Sequence, residues 1–231
     1  MILTAADVAR MTDLSCVRTT SSKLDIEEMV DAARRYGFGQ VSVLQCFILY
    51  TKRLLEAAPH VRLVGNVSFP TGSDSTSLKV LQAKEMMAAG CDEIDMVMNI
   101  GELRSGELVE VETDTRAVIE TVHPTPVKVI IEMMSLTPEE IRQACDICVR
   151  AGATFVKTGT GWAERGTTLD DVRLVKSLVG DRIQIKASGG IRNMETLMQM
   201  YDAGARRFGV NLKSGIQIVE QARLLSPGVH S

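Results

Sequence analysis

The stretch Thr154-Phe-Val-Lys157-Thr-Gly-Thr-Gly161-Trp162 decides how the rest of the chain is read. A short apolar strand runs into a glycine-rich loop and leaves one lysine where the strand ends. Lysine forms strands poorly and is costly to bury. Strand alternation points Phe155 and Lys157 to the same face. Taken alone, the segment also fits a lysine whose ammonium snorkels out past the strand end. The next strand weighs against that: Ile183-Gln-Ile-Lys186-Ala-Ser-Gly189-Gly190 again closes an apolar run with a lysine and then a glycine pair. Two lysines at matching positions on consecutive strands argue for a shared site.

Outward from these two, short apolar runs alternate with longer amphipathic ones. Eight segments read as strands: Arg10 to Ser15, Gln40 to Leu44, Val61 to Ser68, Glu93 to Asn99, Val127 to Glu132, Thr154 to Lys157, Arg182 to Ala187 and Arg207 to Asn211. Helical patterns lie between them, and a closing helix falls near Ile216 to Leu225. Repeated strand-then-helix units imply parallel strands with helices outside. Eight of them in 231 residues point to an α/β fold, a closed (β/α)8 TIM barrel. A doubly wound open sheet is the competitor, but no GxGxxG follows the first strand and the pattern does not change at a midpoint. The junction Ala-Gly-small recurs at Ala89-Gly-Cys, Ala151-Gly-Ala and Ala203-Gly-Ala, each with glycine placed to cap a helix in the left-handed conformation. No linker or low-complexity stretch divides the chain, so residues 1–231 read as one domain.

Composition narrows the classes. A formal net charge of −3 and the absence of any basic cluster argue against nucleic acid. No stretch approaches the ~18–20 apolar residues of a membrane span. Five cysteines, an odd number, with no secretory signal, suggest a reducing cytoplasm. Cys145-Asp-Ile-Cys148 has metal or redox spacing, but it lies in a helix that starts at Thr137-Pro, where positions three apart share a face. Two core-facing cysteines are the plainer reading. His60, His123 and His230 are scattered and form no ligand set, so no metal and no cofactor is expected.

In a barrel of this kind the chemistry sits at the carboxyl ends of the strands. Those ends carry Asp13 and Ser15, Asp95 and Asn99, Glu132 with Lys128 earlier on its face, Lys157 and Lys186. A free lysine has a pKa near ~10.4 and is protonated at neutral pH, so it cannot attack a carbonyl. A second cation and partial desolvation both disfavour the charged form. The Lys157–Lys186 pair supplies both, which is the arrangement of a Schiff-base lysine. Asp95 could shuttle protons, directly or through water; the alternative is a salt bridge that only neutralises buried charge. Lys128 is placed to orient Asp95 and is counted with the residues expected to touch substrate. The glycines Gly159 and Gly161, Gly189 and Gly190, and Gly209 to Gly215 follow the sixth, seventh and eighth strands, where barrel enzymes hold phosphate on backbone N–H groups. Tight βα turns would use the same glycines.

These motifs resemble those of the deoxyribose-phosphate aldolase family. The match rests on Phe155-Val-Lys-Thr-Gly-Thr-Gly, Ile185-Lys-Ala-Ser-Gly-Gly-Ile-Arg, Glu93-Ile-Asp-Met-Val-Met-Asn-Ile-Gly, Lys128-Val-Ile-Ile-Glu and Val67-Ser-Phe-Pro-Thr-Gly, in order, from Asp13 to Ser214. The resemblance implies a class I aldolase, without metal, that cleaves 2-deoxyribose 5-phosphate reversibly to glyceraldehyde 3-phosphate and acetaldehyde. It implies Lys157 as the imine-forming residue, Lys186 as the group that lowers its pKa, and Asp95 in proton relay. It also implies Asp13 near a substrate hydroxyl, phosphate on Gly189, Gly190 and Gly209 with Thr160 and Gly161 beside them, and a homo-oligomer, dimer or tetramer. Four departures stand out. Gly159 replaces the family's serine, and Ser42 its second-strand cysteine. The loop after the eighth strand, Gly209-Val-Asn-Leu-Lys-Ser-Gly215, reads as two residues longer and puts Asn211 and Lys213 near the expected phosphate. Some members end in a tyrosine; this chain ends Gly228-Val-His-Ser231. Two other readings stay open: the same chemistry on another sugar or sugar phosphate, and a phosphate-binding barrel that isomerises or only binds its ligand.

Overall fold

A computed structural model describes residues 3–225; the terminal Gly228-Val-His-Ser231 lies outside them. Eight parallel strands close in sequence order: β1 (Thr12–Cys16), β2 (Gln40–Val43), β3 (Arg62–Val67), β4 (Glu93–Val97), β5 (Val127–Ile130), β6 (Phe155–Lys157), β7 (Gln184–Ser188) and β8 (Arg207–Val210). β8 returns to β1 with Asp13 opposite Gly209 and Leu14 opposite Val210. The expected (β/α)8 barrel is the observed one.

Among the described residues ten α-helices surround it: α1 (Ala5–Arg10), α2 (Lys23–Tyr36), α3 (Ile48–Leu54), α4 (Thr76–Ala88), α5 (Ile100–Arg104), α6 (Leu108–Val122), α7 (Pro138–Ala151), α8 (Leu169–Val179), α9 (Met194–Asp202) and α10 (Leu212–Leu225). Several start where the side chains demand it. Thr4, Ser22, Thr137 and Thr168 each accept from the backbone N–H three residues on, while the acid at that position reaches back. Such boxes satisfy N–H groups that a helix cannot bond internally. At the three Ala-Gly junctions Gly90, Gly152 and Gly204 all take positive φ, as that pattern requires.

Three differences from expectation bear on the site. The first strand begins at Thr12 rather than Arg10, because Thr4 and Asp7 cap a helix that runs through Arg10. The closing helix begins at Leu212, not Ile216, so the long loop expected after β8 is helix: Asn211 Oδ1 accepts from the Ser214 N–H at 2.9 Å. Asn99 belongs to no mouth cluster, since its side chain caps α5.

Two interiors result. Between sheet and helices lies an apolar layer that includes Leu14, Ile94, Met96, Ile185 and Ala187. Cys145 and Cys148 are buried there too, as the plainer reading had it. Alternate residues of the same strands, Asp13, Asp95, Lys128, Lys157 and Lys186, fill the lumen instead. Lys186 on β7 reaches Asp95 on β4 at 3.0 Å, a contact only the lumen permits. Bulky aliphatic residues usually fill this space; here it holds charge.

Candidate active site

Asp95 is the centre of the lumen. It is fully buried, and its Oδ2 accepts from Lys157 Nζ at 2.7 Å and from Lys186 Nζ at 3.0 Å. Its Oδ1 accepts from Lys128 Nζ at 3.0 Å. Strand pairing sets this up: Asp95 lies opposite Lys128, and Lys157 opposite Lys186. Two outer carboxylates complete the cluster. Lys186 Nζ lies 2.6 Å from Asp13 Oδ2, an ion contact rather than an aligned hydrogen bond. Lys128 Nζ lies 2.5 Å from Glu93 Oε2. Toward the other end of the barrel, Arg207 approaches Asp13 at 3.4 Å and Arg62 approaches Glu93 at 3.0 Å.

The electrostatics separate the lysines. Burial is the largest influence on Lys157; Asp95 favours its charged form, while Lys186 and Lys128 oppose it, and the amine is pulled down to about 8. Burial also weighs most on Lys186, but Asp13 and Asp95 together outweigh it, so Lys186 is held above the ordinary lysine value. Burial of Asp95 favours its neutral form, yet Lys128, Lys157 and Lys186 overcome that and hold the carboxyl well below the usual range. One lysine is thus poised to lose its proton, its neighbour keeps one, and the carboxylate between them stays ionised. Burial is thus a larger cause of the lowered Lys157 amine than the second cation, Lys186.

Above the cluster lies a narrow cleft of about 10 Å³, room for about one water, lined by Asp13, Ser42, Asn66, Phe69, Lys157 and Lys186 among others. Asn66 donates to Ser42 Oγ and the Val43 carbonyl, and its buried Oδ1 has no partner among the described residues. The cleft shares Ser15, Val17, Thr160, Ser188 and Gly209 with an outer pocket of about 370 Å³. Thr160, Gly161, Gly189, Gly190, Gly209 and Asn211 all line that outer pocket. Gly189 and Gly190 sit at φ 97° and 80°, so their backbone, free of side chains, faces the space. A Cβ at Gly209 would lie 2.6 Å from Ser188 Oγ and 3.5 Å from Lys186 Cε; glycine here makes room for the lysine.

Lys128 lines neither space. It is fully buried beneath Asp95, so among the residues expected to touch substrate it is the one the structure withholds. Glu132, at the end of β5, takes φ 42° and accepts from the backbone N–H and hydroxyl of Thr160, which holds the loop after β6. A Cβ at Gly159 would lie 2.9 Å from Glu132 Oε1, which accounts for the missing side chain there. Sequence reading passed over Glu93, Asn66, Phe69, Trp162, Arg18 and Arg207. Glu93 and Asn66 were within reach of alternation, two residues from Asp95 and directly across from it.

A closed parallel barrel whose lumen gathers three lysines on one carboxylate, with one amine lowered to about 8, has the make-up of an enzyme's site. Comparison places it more narrowly. The profile described as DeoC/LacD family aldolase matches residues 9–215. The deoxyribose-phosphate aldolase of Sinorhizobium medicae is 37% identical, over 98% of this chain and 91% of that protein. A solved aldolase called QR15 is 38% identical, with a TM-score of 0.88 over 95% of this chain and 98% of its own. The tetrameric deoxyribose phosphate aldolase of Aeropyrum pernix is 26% identical, with a TM-score of 0.86 over 96% and 93% of the two chains. The chain belongs to the DeoC/LacD family of aldolases, which are lyases.

Proposed function

We propose that this chain cleaves 2-deoxyribose 5-phosphate reversibly to glyceraldehyde 3-phosphate and acetaldehyde, through an imine on Lys157. The observation that carries the reading is the Lys157 amine, lowered to about 8 and 2.7 Å from Asp95, at the foot of a cleft that opens into a glycine-walled pocket. Relatives named for that reaction support the choice of substrate.

The neutral Nζ attacks C1 of the open-chain sugar. The carbinolamine loses water and leaves an iminium. A cleft water takes the C3 hydroxyl proton as the C2–C3 bond breaks. The bonding pair becomes the C1=C2 double bond of an enamine while the iminium pair returns to Nζ, and C3 leaves as the aldehyde carbon of glyceraldehyde 3-phosphate. Protonation of C2 and hydrolysis release acetaldehyde and restore the amine. Lys186 stays charged throughout and keeps Lys157 from holding its proton. Asp95, ionised and fixed by three lysines, steers proton exchange through cleft water rather than storing a proton itself. Asp13 and the free Asn66 acceptor face the substrate hydroxyls. The backbone of Gly189, Gly190 and Gly209 receives the phosphate, with Thr160, Gly161 and Asn211 around it. Lys128 acts on Asp95 from below. Five unpaired cysteines fit a place in sugar-phosphate breakdown in a reducing cytoplasm. A homo-oligomer fits the tetrameric relative.

Incubation with acetaldehyde and borohydride tests the central step. A two-carbon adduct is expected on Lys157 and on no residue of Lys157→Ala; no adduct at any lysine rejects the reading. Turnover across candidate sugars tests the substrate, and a large preference for another sugar replaces deoxyribose 5-phosphate in it.

A further inference from the structure

The outer pocket is larger than backbone recognition of a phosphate needs, and one side of it is unlike the glycine wall. Three arginines line it. Arg165 is held by Asp171 at 2.5 Å. Arg18 and Arg192 have no carboxylate within 4.0 Å among the described residues. Arg192 follows the glycine pair in sequence. Arg18 comes from the opposite side, the loop between β1 and α2, and its position is built. Its guanidinium lies 5.3 Å from the centroid of the Trp162 ring and donates to the Gly161 carbonyl at 2.7 Å. The Trp162 ring is backed by Phe69, edge to face at 6.2 Å, and the Trp162 backbone N–H donates to Thr160 Oγ1 at 3.0 Å. Thr160 is in turn bonded to Glu132. Arg18 therefore rests on a platform tied to three strand ends.

A guanidinium carries five N–H donors, and one bond to Gly161 leaves most of them unused. Stacked on an aromatic face it is pre-oriented, and its flat fork matches a phosphate's oxygens. Backbone N–H groups alone favour an anion through dipoles; they give a weaker distinction between a phosphate dianion and a sugar hydroxyl than a full charge does. We propose that Arg18, carried on Trp162, is the specificity-determining cation of the outer pocket and turns from the Gly161 carbonyl onto the phosphate of a phosphorylated sugar. This rests on the reading above that the substrate carries a phosphate, and it adds the residue that selects for it.

The experiment compares Arg18→Gln and Arg18→Lys with the wild type, as full chains, on 2-deoxyribose 5-phosphate and on 2-deoxyribose. Arg18→Gln is expected to lower the ratio of kcat/KM between the two sugars about tenfold, through KM, with partial recovery in Arg18→Lys. Equal losses on both sugars, or no change in the ratio, overturn the proposal. Trp162 is the chain's single tryptophan, so its fluorescence reports on this pocket alone. Inorganic phosphate is expected to shift Trp162 emission in the wild type and to require a concentration about tenfold higher in Arg18→Gln, with the difference shrinking in high salt. The same response in both proteins overturns the proposal. Acetaldehyde trapping at Lys157 involves no phosphate. Its failure strikes the aldolase reading, whereas the phosphate titration judges Arg18 independently.

Discussion

Lys79 and Lys157 are both buried lysines held by an aspartate, and they have opposite characters. Lys79, on α4, is fully buried, donates to Asp114 Oδ2 on α6 at 2.6 Å and touches the Val97 carbonyl at 3.3 Å. One cation meets one anion. Lys157 meets its aspartate at nearly the same distance, 2.7 Å, but Asp95 also serves Lys128 and Lys186. Burial costs an ion several kcal/mol in either place, and only a well-placed opposite charge repays it. At Asp114 the repayment is undivided. At Asp95 it is shared three ways, and Lys186 has Asp13 besides, so the shortfall falls on Lys157. The lowered amine of Lys157 arises where burial meets a surplus of cations around one carboxylate.

The largest effect should come from removing the surplus cation. Lys157→Met is expected to lower kcat for cleavage by roughly 10⁴-fold or more, as loss of a covalent nucleophile does. The same change should stabilise the protein. An amine held near 8 instead of roughly 10.4 burdens the fold by on the order of 3 kcal/mol at neutral pH. The sign follows from linkage: below about 8 both states hold the proton and the cost is full. Between about 8 and roughly 10.4 the unfolded chain binds more protons, so wild-type stability rises with pH in that window. Denaturant titrations at neutral pH should place Lys157→Met above the wild type, with the gap closing as pH rises. A less stable variant would break the contrast with Lys79.

Next in size is Lys186→Leu. It removes the cation that helps to depress Lys157 and frees Asp95 for it. Both changes favour the charged amine, so the rising limb of the kcat/KM profile should move from about 8 toward the roughly 10.4 of a free lysine, with activity at neutral pH falling on the order of a hundredfold. An unmoved limb would remove Lys186 from that role.

How much of this could be read beforehand follows from the range of each interaction. Lys157, Lys186 and Asp95 stood out because strand alternation is local and a lysine in an apolar strand is rare. The barrel itself followed from eight repeats of one pattern. Arg18 was invisible for the opposite reason: its guanidinium is exposed and ordinary until the fold sets it on Trp162, 144 positions away in the chain but 5.3 Å in space. Arg207 and Asp13 likewise meet only when β8 closes on β1. The helix at Ala5–Arg10 did leave a local mark, the Thr4–Asp7 box, but Arg10 and Met11 read as the start of the strand. After β8 the glycines and polar residues suggested a loop, whereas Asn211 uses its side chain to start α10.

The smallest effect on catalysis, and the sharpest control, belongs to Lys79→Met. Lys79 takes no part in the lumen, so kcat and the pH of the rising limb should stay within about twofold and a few tenths of the wild type, within the scatter of distant substitutions. Stability should not. Asp114 is buried, and among the described residues its Oδ1 already lacks a partner and Oδ2 would lose its only cation, a cost of about 3–5 kcal/mol. Lys79→Met with Asp114→Leu removes both charges and should recover most of that loss, because a matched buried pair is worth little more than apolar residues of similar volume. Denaturant midpoints of the single and double variants measure this directly. A double variant no more stable than the single would mean that the pair does more than cancel its own charge, and the distinction between a matched lysine and an outnumbered one would have to be drawn elsewhere.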